Sequence, residues 1–168
     1  MGAFPFDVVE FDDLSPPDNG EVAPDFTRPL VTQDGWHDIA LSDLFEDESV
    51  LLIFYPMNGS GKSHYTWKAV REREWEDAIS VVGVGISQPF DMLSFVELLD
   101  LTCGIYSDPS NGVAEQYGLV HDVGGMTGIE EPVPAMFLLE AGGVISESWV
   151  AGEWPEQPPY DRIDEWIK

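Results

Sequence analysis

The sequence predicts an α/β fold, a central mixed β-sheet flanked by helices on both faces. Three observations carry this. Short apolar runs at 50–56 (VLLIFYP), 79–86 (ISVVGVGI) and 134–140 (PAMFLLE) have the length and composition of buried strands. Stretches with helical spacing separate them, at 63–77 and from Pro89 to Asp100. The resulting order, β-α-β-α-β-α-β-β-α, interleaves strands with helices, which is the pattern of a sheet covered on both sides.

Taken in order, residues 1–20 form an acidic strand-and-turn extension. Phe4 to Phe11 reads as an edge strand, and Ser15 to Gly20, with Pro16-Pro17-Asp18-Asn19, reads as a turn. The body spans 21–150. EVAPDFTRPL is a short strand, Asp34-Gly35 a hairpin signal, and Trp36 to Leu41 alternates as a strand does. Leu41-Ser42-Asp43-Leu44-Phe45 has the look of a capped helical turn. Ser63 opens the helix over 63–77, with Trp67, Val70 and Trp75 inward and Arg71, Glu72, Arg73 and Glu74 outward. Pro89 suits the first position of the next helix, whose apolar face is Phe90, Leu93, Phe95, Val96 and Leu99. Cys103 to Asp108 is a strand and turn, and Ser110 to Tyr117 a helix ended by Gly118. Residues 134–150 form a hairpin turning at Ala141-Gly142-Gly143. The segment 151–168 is a Trp- and Pro-rich arm with a final helix from Tyr160 to Lys168, folding over the body through Trp154, Tyr160 and Trp166.

A chain of 168 residues, 43% hydrophobic, suits one domain with a single core. Its charge is extreme: 7 Lys+Arg against 32 Asp+Glu give −25. The acids are dispersed, and six Trp, nine Phe and five Tyr argue against a disordered acidic polymer. A folded domain with a carboxylate surface repels itself unless salt screens it, so the composition points to a halophilic, very salty cytosol. The same charge argues against nucleic acid and anionic membranes as partners. No run of eighteen apolar residues and no secretory leader pattern is present, so a cytoplasmic protein is expected. One cysteine, Cys103, forbids an internal disulfide and a zinc–thiolate cluster.

The most informative stretch is Val50 to Ser63, where a buried strand leads through small residues to a hydroxyl at a helix N-terminus. There, backbone N–H groups point outward and the helix dipole favours anions. Around it, Ala23-Pro24-Asp25-Phe26, Leu41-Ser42-Asp43-Leu44, Phe54-Tyr55-Pro56, Val81 to Ser87, Ser107-Asp108-Pro109, Glu115 to Gly118 and Phe137 to Ile145 follow one another in a familiar order. In these motifs the chain resembles peroxiredoxins, the thioredoxin-fold thiol peroxidases related to alkyl hydroperoxide reductase, from about Gly20 to Val150. The resemblance implies a thioredoxin-like sheet, an antioxidant oxidoreductase acting on peroxide with a thiol reductant, no cofactor, and a homodimer.

The catalytic loop departs from that family's P-x-x-x-T/S-x-x-C. By the resemblance, Pro56 takes the proline position, Ser60 the hydroxyl position and Ser63 the place of the peroxidatic cysteine. Val133-Pro134-Ala135 stands where the family carries an arginine, and Pro134 resembles the cis-proline of thioredoxins. Peroxide reduction needs a thiolate, whose pKa a helix N-terminus and a cation such as Lys62 bring within reach. A serine hydroxyl is too weak an acid for the same help, and has no counterpart of recyclable sulfenic acid. As written, the chain is expected to be inactive, either a natural degenerate member, which the missing arginine favours, or a Cys→Ser variant. The alternative is a non-catalytic binding module on the same fold.

Other chemistries fit less well. Cys103 sits where the family has an apolar residue, and a structural role outweighs a redox one. Gly59-Ser-Gly-Lys-Ser63 has the order of a phosphate loop, but Pro56 stands where the first glycine belongs, leaving weaker anion or nucleotide binding as a minor alternative. Ser63 and His64 are helix neighbours whose side chains diverge, and no G-x-S-x-G elbow exists. His37, His64 and His121 lack metal-ligand spacing, so no metal is expected.

Overall fold

The structure, a computed structural model, describes residues 8–123 and 125–167. In chain order its elements are β1 (Val9–Glu10), β2 (Thr27–Thr32), β3 (Gly35–Ala40), α1 (Leu41–Phe45), β4 (Val50–Phe54), α2 (Gly61–Glu72), α3 (Trp75–Ala78), β5 (Ser80–Gly85), α4 (Pro89–Leu98) and β6 (Gly104–Ser107). There follow α5 (Gly112–Gln116), β7 (Val120–His121), β8 (Glu131–Pro132), β9 (Ala135–Leu139), β10 (Ile145–Val150), β11 (Glu153–Trp154) and α6 (Tyr160–Ile167).

Seven strands make the main sheet, in the order β10-β9-β4-β5-β6-β2-β3. β4, β5 and β6 run parallel, and β9, β10, β2 and β3 add antiparallel pairs on either side. This is the predicted α/β sheet of mixed sense. All five side chains of β4, and all five of β9, are buried, so both faces are covered. Register tells which helix covers which face. Ile53 pairs with Gly83 and Phe54 with Val84. Trp67 of α2 packs so closely over Gly83 that a Cβ there would lie 2.5 Å from the indole. Phe54 points the other way, to Tyr117 just past α5, with ring centroids 5.0 Å apart. Thus α2 and α5 lie on opposite faces of the sheet.

Several expectations are corrected. The predicted helix over 63–77 begins earlier, at Gly61, and is broken: Arg73 and Glu74 separate α2 from α3, with Glu74 left-handed at φ 58°. The amides of Arg73 and Glu74 close the turn on the carbonyls of Ala69 and Arg71, and the break swings Trp75 into the core, where it is buried. The Val133–Pro134 peptide is not cis; among the described residues only Trp154–Pro155 is. The Val133 amide donates to the Leu119 carbonyl (2.8 Å) and the Pro134 carbonyl accepts from Ala151 (2.9 Å). These bonds lead the chain straight into β9, where a proline ahead of the strand needs no N–H and a trans bond suffices. Phe90, placed on the inner face of its helix, is 74% exposed and meets Trp36 edge to face, while Met92 takes the buried position. Of the N-terminal strand only Val9–Glu10 is seen, paired with β11; Phe4 and Phe6 lie outside the described residues.

Candidate functional site

The loop after β4 carries the site. Tyr55 is buried at the strand end and its hydroxyl donates to Asn58 Oδ1 (2.6 Å), which folds the loop back on itself. Ser60, in extended conformation, is the N-cap of α2: its Oγ accepts from the Ser63 amide (3.2 Å) and its carbonyl from the His64 amide (3.2 Å). Ser63 therefore lies one turn inside the helix, at its third residue. Its hydroxyl is buried and 2.7 Å from Ser60 Oγ, so the two oxygens share one hydrogen bond. The first turn of any helix leaves amides without acceptors, here those of Gly61 and Lys62. A group at the Ser63 position is thus held beside a hydroxyl donor and the positive end of a helix, in a pocket that Lys62 also lines.

The structure brings Ser63, Lys62, Pro56 and Pro134 to one small pocket, also lined by Thr66 and Trp149. No arginine lines it. Trp154, Glu156, Gln157 and Pro158 form its remaining wall, and the space between them is about 10 Å³, room for roughly one water. Thr66 was legible in principle, since it stands three residues beyond Ser63 on the same helical face. That wall was not, because it comes from the far end of the chain.

His64 turns away from Ser63, against Phe95 (5.7 Å between ring centroids), into an open groove on the other side of α2. The serine–histidine pair required for a hydrolase is not assembled. Gly59 and Gly61 have open space where a Cβ would stand, so no packing within the protein requires glycine at either position. Among the described residues no three His, Cys, Asp or Glu are grouped to hold a metal.

Cys103 precedes β6, level with Val81 and Leu51, whereas the Ser63 loop follows Phe54, at the other end of the strands. The two ends are more than about 10 Å apart along the sheet. The Cys103 thiol is buried, and its pKa is pushed well up, first by burial and then by the Glu76 carboxylate. Glu76 is fixed there by the Thr102 and Cys103 amides (3.1 and 3.0 Å). Such a thiol stays protonated and unreactive.

Burial also raises the pKa of Tyr55, Tyr106 and Tyr117 well above the ordinary tyrosine value. The sign of the linkage is fixed. An acid whose folded pKa is raised contributes stability below its unfolded pKa and loses it as pH rises further. Urea midpoints measured in molar KCl are therefore expected to be level from pH 7 to about 8.5. They should decline as Cys103 begins to ionise in the unfolded chain, then fall steeply past about pH 10 with the tyrosines. Cys103→Ala should remove the first step only; a flat profile to pH 11 would contradict the assignment.

Comparison with known proteins shows the family and the fold. The AhpC/TSA family matches residues 19–148. A putative peroxiredoxin bcp of Coxiella burnetii is 31% identical, over 77% of this chain and 86% of its own length. The chloroplastic 2-Cys peroxiredoxin BAS1 of Spinacia oleracea is 29% identical over 84% of the chain. The match spans about half of that relative's length, 55%, and 54% of the Arabidopsis thaliana counterpart. Among solved structures, reduced Plasmodium vivax 2-Cys peroxiredoxin superposes with a TM-score of 0.76 at 18% identity, over 90% of this chain and 81% of that one. Peroxidoxin BcpB of Mycobacterium tuberculosis gives 0.66 at 24% identity, over 79% and 84%. Both show the fold.

Proposed function

This chain belongs to the AhpC/TSA family as a peroxiredoxin relative, and from that premise we propose that Ser63 occupies its peroxidatic position and that the chain, as it stands, does not reduce peroxides. One observation carries the reading. A buried hydroxyl, not a thiol, sits in the first turn of α2 beside Ser60, Lys62 and Pro56, while the chain's one cysteine is buried at the opposite end of the sheet.

The family's reaction needs sulfur at this place. A thiolate attacks one peroxide oxygen, the O–O bond breaks, and the leaving oxygen takes a proton. The resulting sulfenic acid is then returned to thiol by two equivalents of reductant thiol, giving a disulfide and water. Ser60 Oγ and the positive end of α2 favour an anion at position 63; the serine shares a hydrogen bond with Ser60 but stays a neutral alcohol, with no anion to stabilise. The experiment is peroxide consumption with dithiothreitol in molar KCl. The unaltered chain is expected to match the protein-free blank, and steady turnover would contradict the reading.

The surface supports two further parts of the proposal, a haloadapted cytoplasmic protein and a homodimer. Among the described residues no helix is long and apolar enough to cross a membrane. Tyr65, Phe90 and Leu98 are large, apolar and 66–74% exposed, and they supply the dimer contact. Light scattering in molar KCl should give twice the chain mass, and Phe90→Asp should shift it toward one; a single-chain mass for the unaltered protein overturns the dimer.

A further inference from the structure

We propose that residues Glu153 to Pro158 form a strap that governs entry to the Ser63 pocket, so that any small molecule reaching position 63 does so only when the strap lifts. The inference concerns access to the site proposed above, and rests on that placement of the site.

The strap forms one wall of the pocket. Trp154, Glu156, Gln157 and Pro158 complete a wall otherwise open between α2 and the β9–β10 hairpin, leaving about 10 Å³, the space of roughly one water. The strap's fastenings are at its ends. At the sheet end, Ala151 N donates to the Pro134 carbonyl (2.9 Å), Phe11 N donates to the Gly152 carbonyl (3.0 Å), and Trp154 pairs with Val9. At the helix end, α6 is latched to the α2–α3 turn: Trp75 Nε1 donates to Asp164 Oδ1 (2.6 Å) and Arg73 pairs with Asp161 and Asp164. Tyr160 and Thr66 hydroxyls meet at 3.4 Å. Between these anchors the strap is tied within itself, Gly152 N to Glu156 Oε2 (2.7 Å) and Glu156 N to Glu153 O (3.1 Å), and to the start of α6, where Gln157 Oε1 accepts from the Tyr160 hydroxyl (3.3 Å) and the Pro158 carbonyl from the Tyr160 amide (2.9 Å). Pro155, Pro158 and Pro159 stiffen the span, so it moves as a unit when one anchor yields.

The test reads accessibility at position 63 and not turnover. Ser63→Cys is made with Cys103→Ala, and labelling by iodoacetamide is timed in molar KCl at fixed pH. With the strap in place, labelling is expected to be slow. Trp154→Ala, which thins the wall, and Asp164→Asn, which weakens the latch, should each speed it by about tenfold or more, a shift of about 1.4 kcal/mol in the closing equilibrium. Circular dichroism and thermal midpoints confirm that each variant is folded; if one is not, the other decides. Fast labelling with the strap intact, or equal rates in all folded variants, overturns the proposal. Fast labelling of an opened variant that still consumes no peroxide would leave the strap standing and count against the peroxidatic placement of Ser63.

Discussion

In 10 mM KCl this chain is expected to be unfolded, and to fold cooperatively as KCl is raised toward the molar range. The net charge of −25 fixes the scale. Spreading it over a sphere of the size expected for a 168-residue domain, and over the larger unfolded coil, gives an extra repulsion on folding. Between 10 mM and 1 M salt, as the screening length falls from about 30 to about 3 Å, that repulsion drops by on the order of 20 kcal/mol. Counter-ions and carboxylate protonation reduce the figure, but even half of it matches the whole margin of about 5–15 kcal/mol that keeps a domain folded. Few cations offset it locally, and most of the ion pairs are surface pairs worth little each. Tryptophan fluorescence against KCl concentration should show the transition, and sucrose at matched osmolality should not replace salt. A thermal midpoint unchanged between 10 mM and 2 M KCl would remove the halophilic reading.

Ser63→Cys is expected to create a thiol with a pKa below the free value of about 8.5, by roughly one unit. Three groups act in the same direction: the positive end of α2, the Ser60 hydroxyl that now sits 2.7 Å from Ser63 Oγ, and Lys62, a cationic residue lining the same pocket. Burial works against them, since the position is 1% exposed. Cys103 shows what burial does without such help: there a carboxylate neighbour adds to it and the thiol is driven upward. The two cysteines should therefore separate in one absorbance titration at 240 nm, position 63 ionising first and Cys103 only far into alkali. If the new thiol titrates at or above the free value, the loop does not stabilise an anion and its resemblance to a peroxidatic site is empty.

Much of the fold was legible because it rests on local rules. Apolar runs of strand length placed β4, β5 and β9, and Gly118 and Gly142-Gly143 turn where φ is positive, at 65° and 90°. The inward positions of Trp67 and Val70 followed from helical spacing; Trp75, also read as inward, is buried because the helix breaks before it. What failed depended on partners far away in sequence. A left-handed Glu74 has no local signature; it is held by the burial of Trp75, whose indole bonds to Asp164, 89 residues on. The first turn of α1 is capped not by a neighbour but by Asp25, which accepts from the Ser42 amide (2.9 Å) and hydroxyl (2.8 Å). The motif order gave Ser60 and Ser63 as site positions with Ser63 opening the helix, whereas Ser60 is the cap and Ser63 the third helical residue. It did not give the closed state of their pocket, because the wall of Trp154 to Pro158 is set by tertiary packing.

The measurement that bears most directly on the account compares the unaltered chain with Ser63→Cys in a Cys103→Ala background. Both are given hydrogen peroxide and dithiothreitol in about 2 M KCl, where charge repulsion is screened. The unaltered chain should consume peroxide no faster than buffer, and the cysteine variant at least about tenfold faster, with a sulfenic adduct at position 63 when the reductant is withheld. Peroxide turnover by the serine protein, or none by a folded, alkylatable cysteine variant, would contradict the placement of Ser63 at the peroxidatic position.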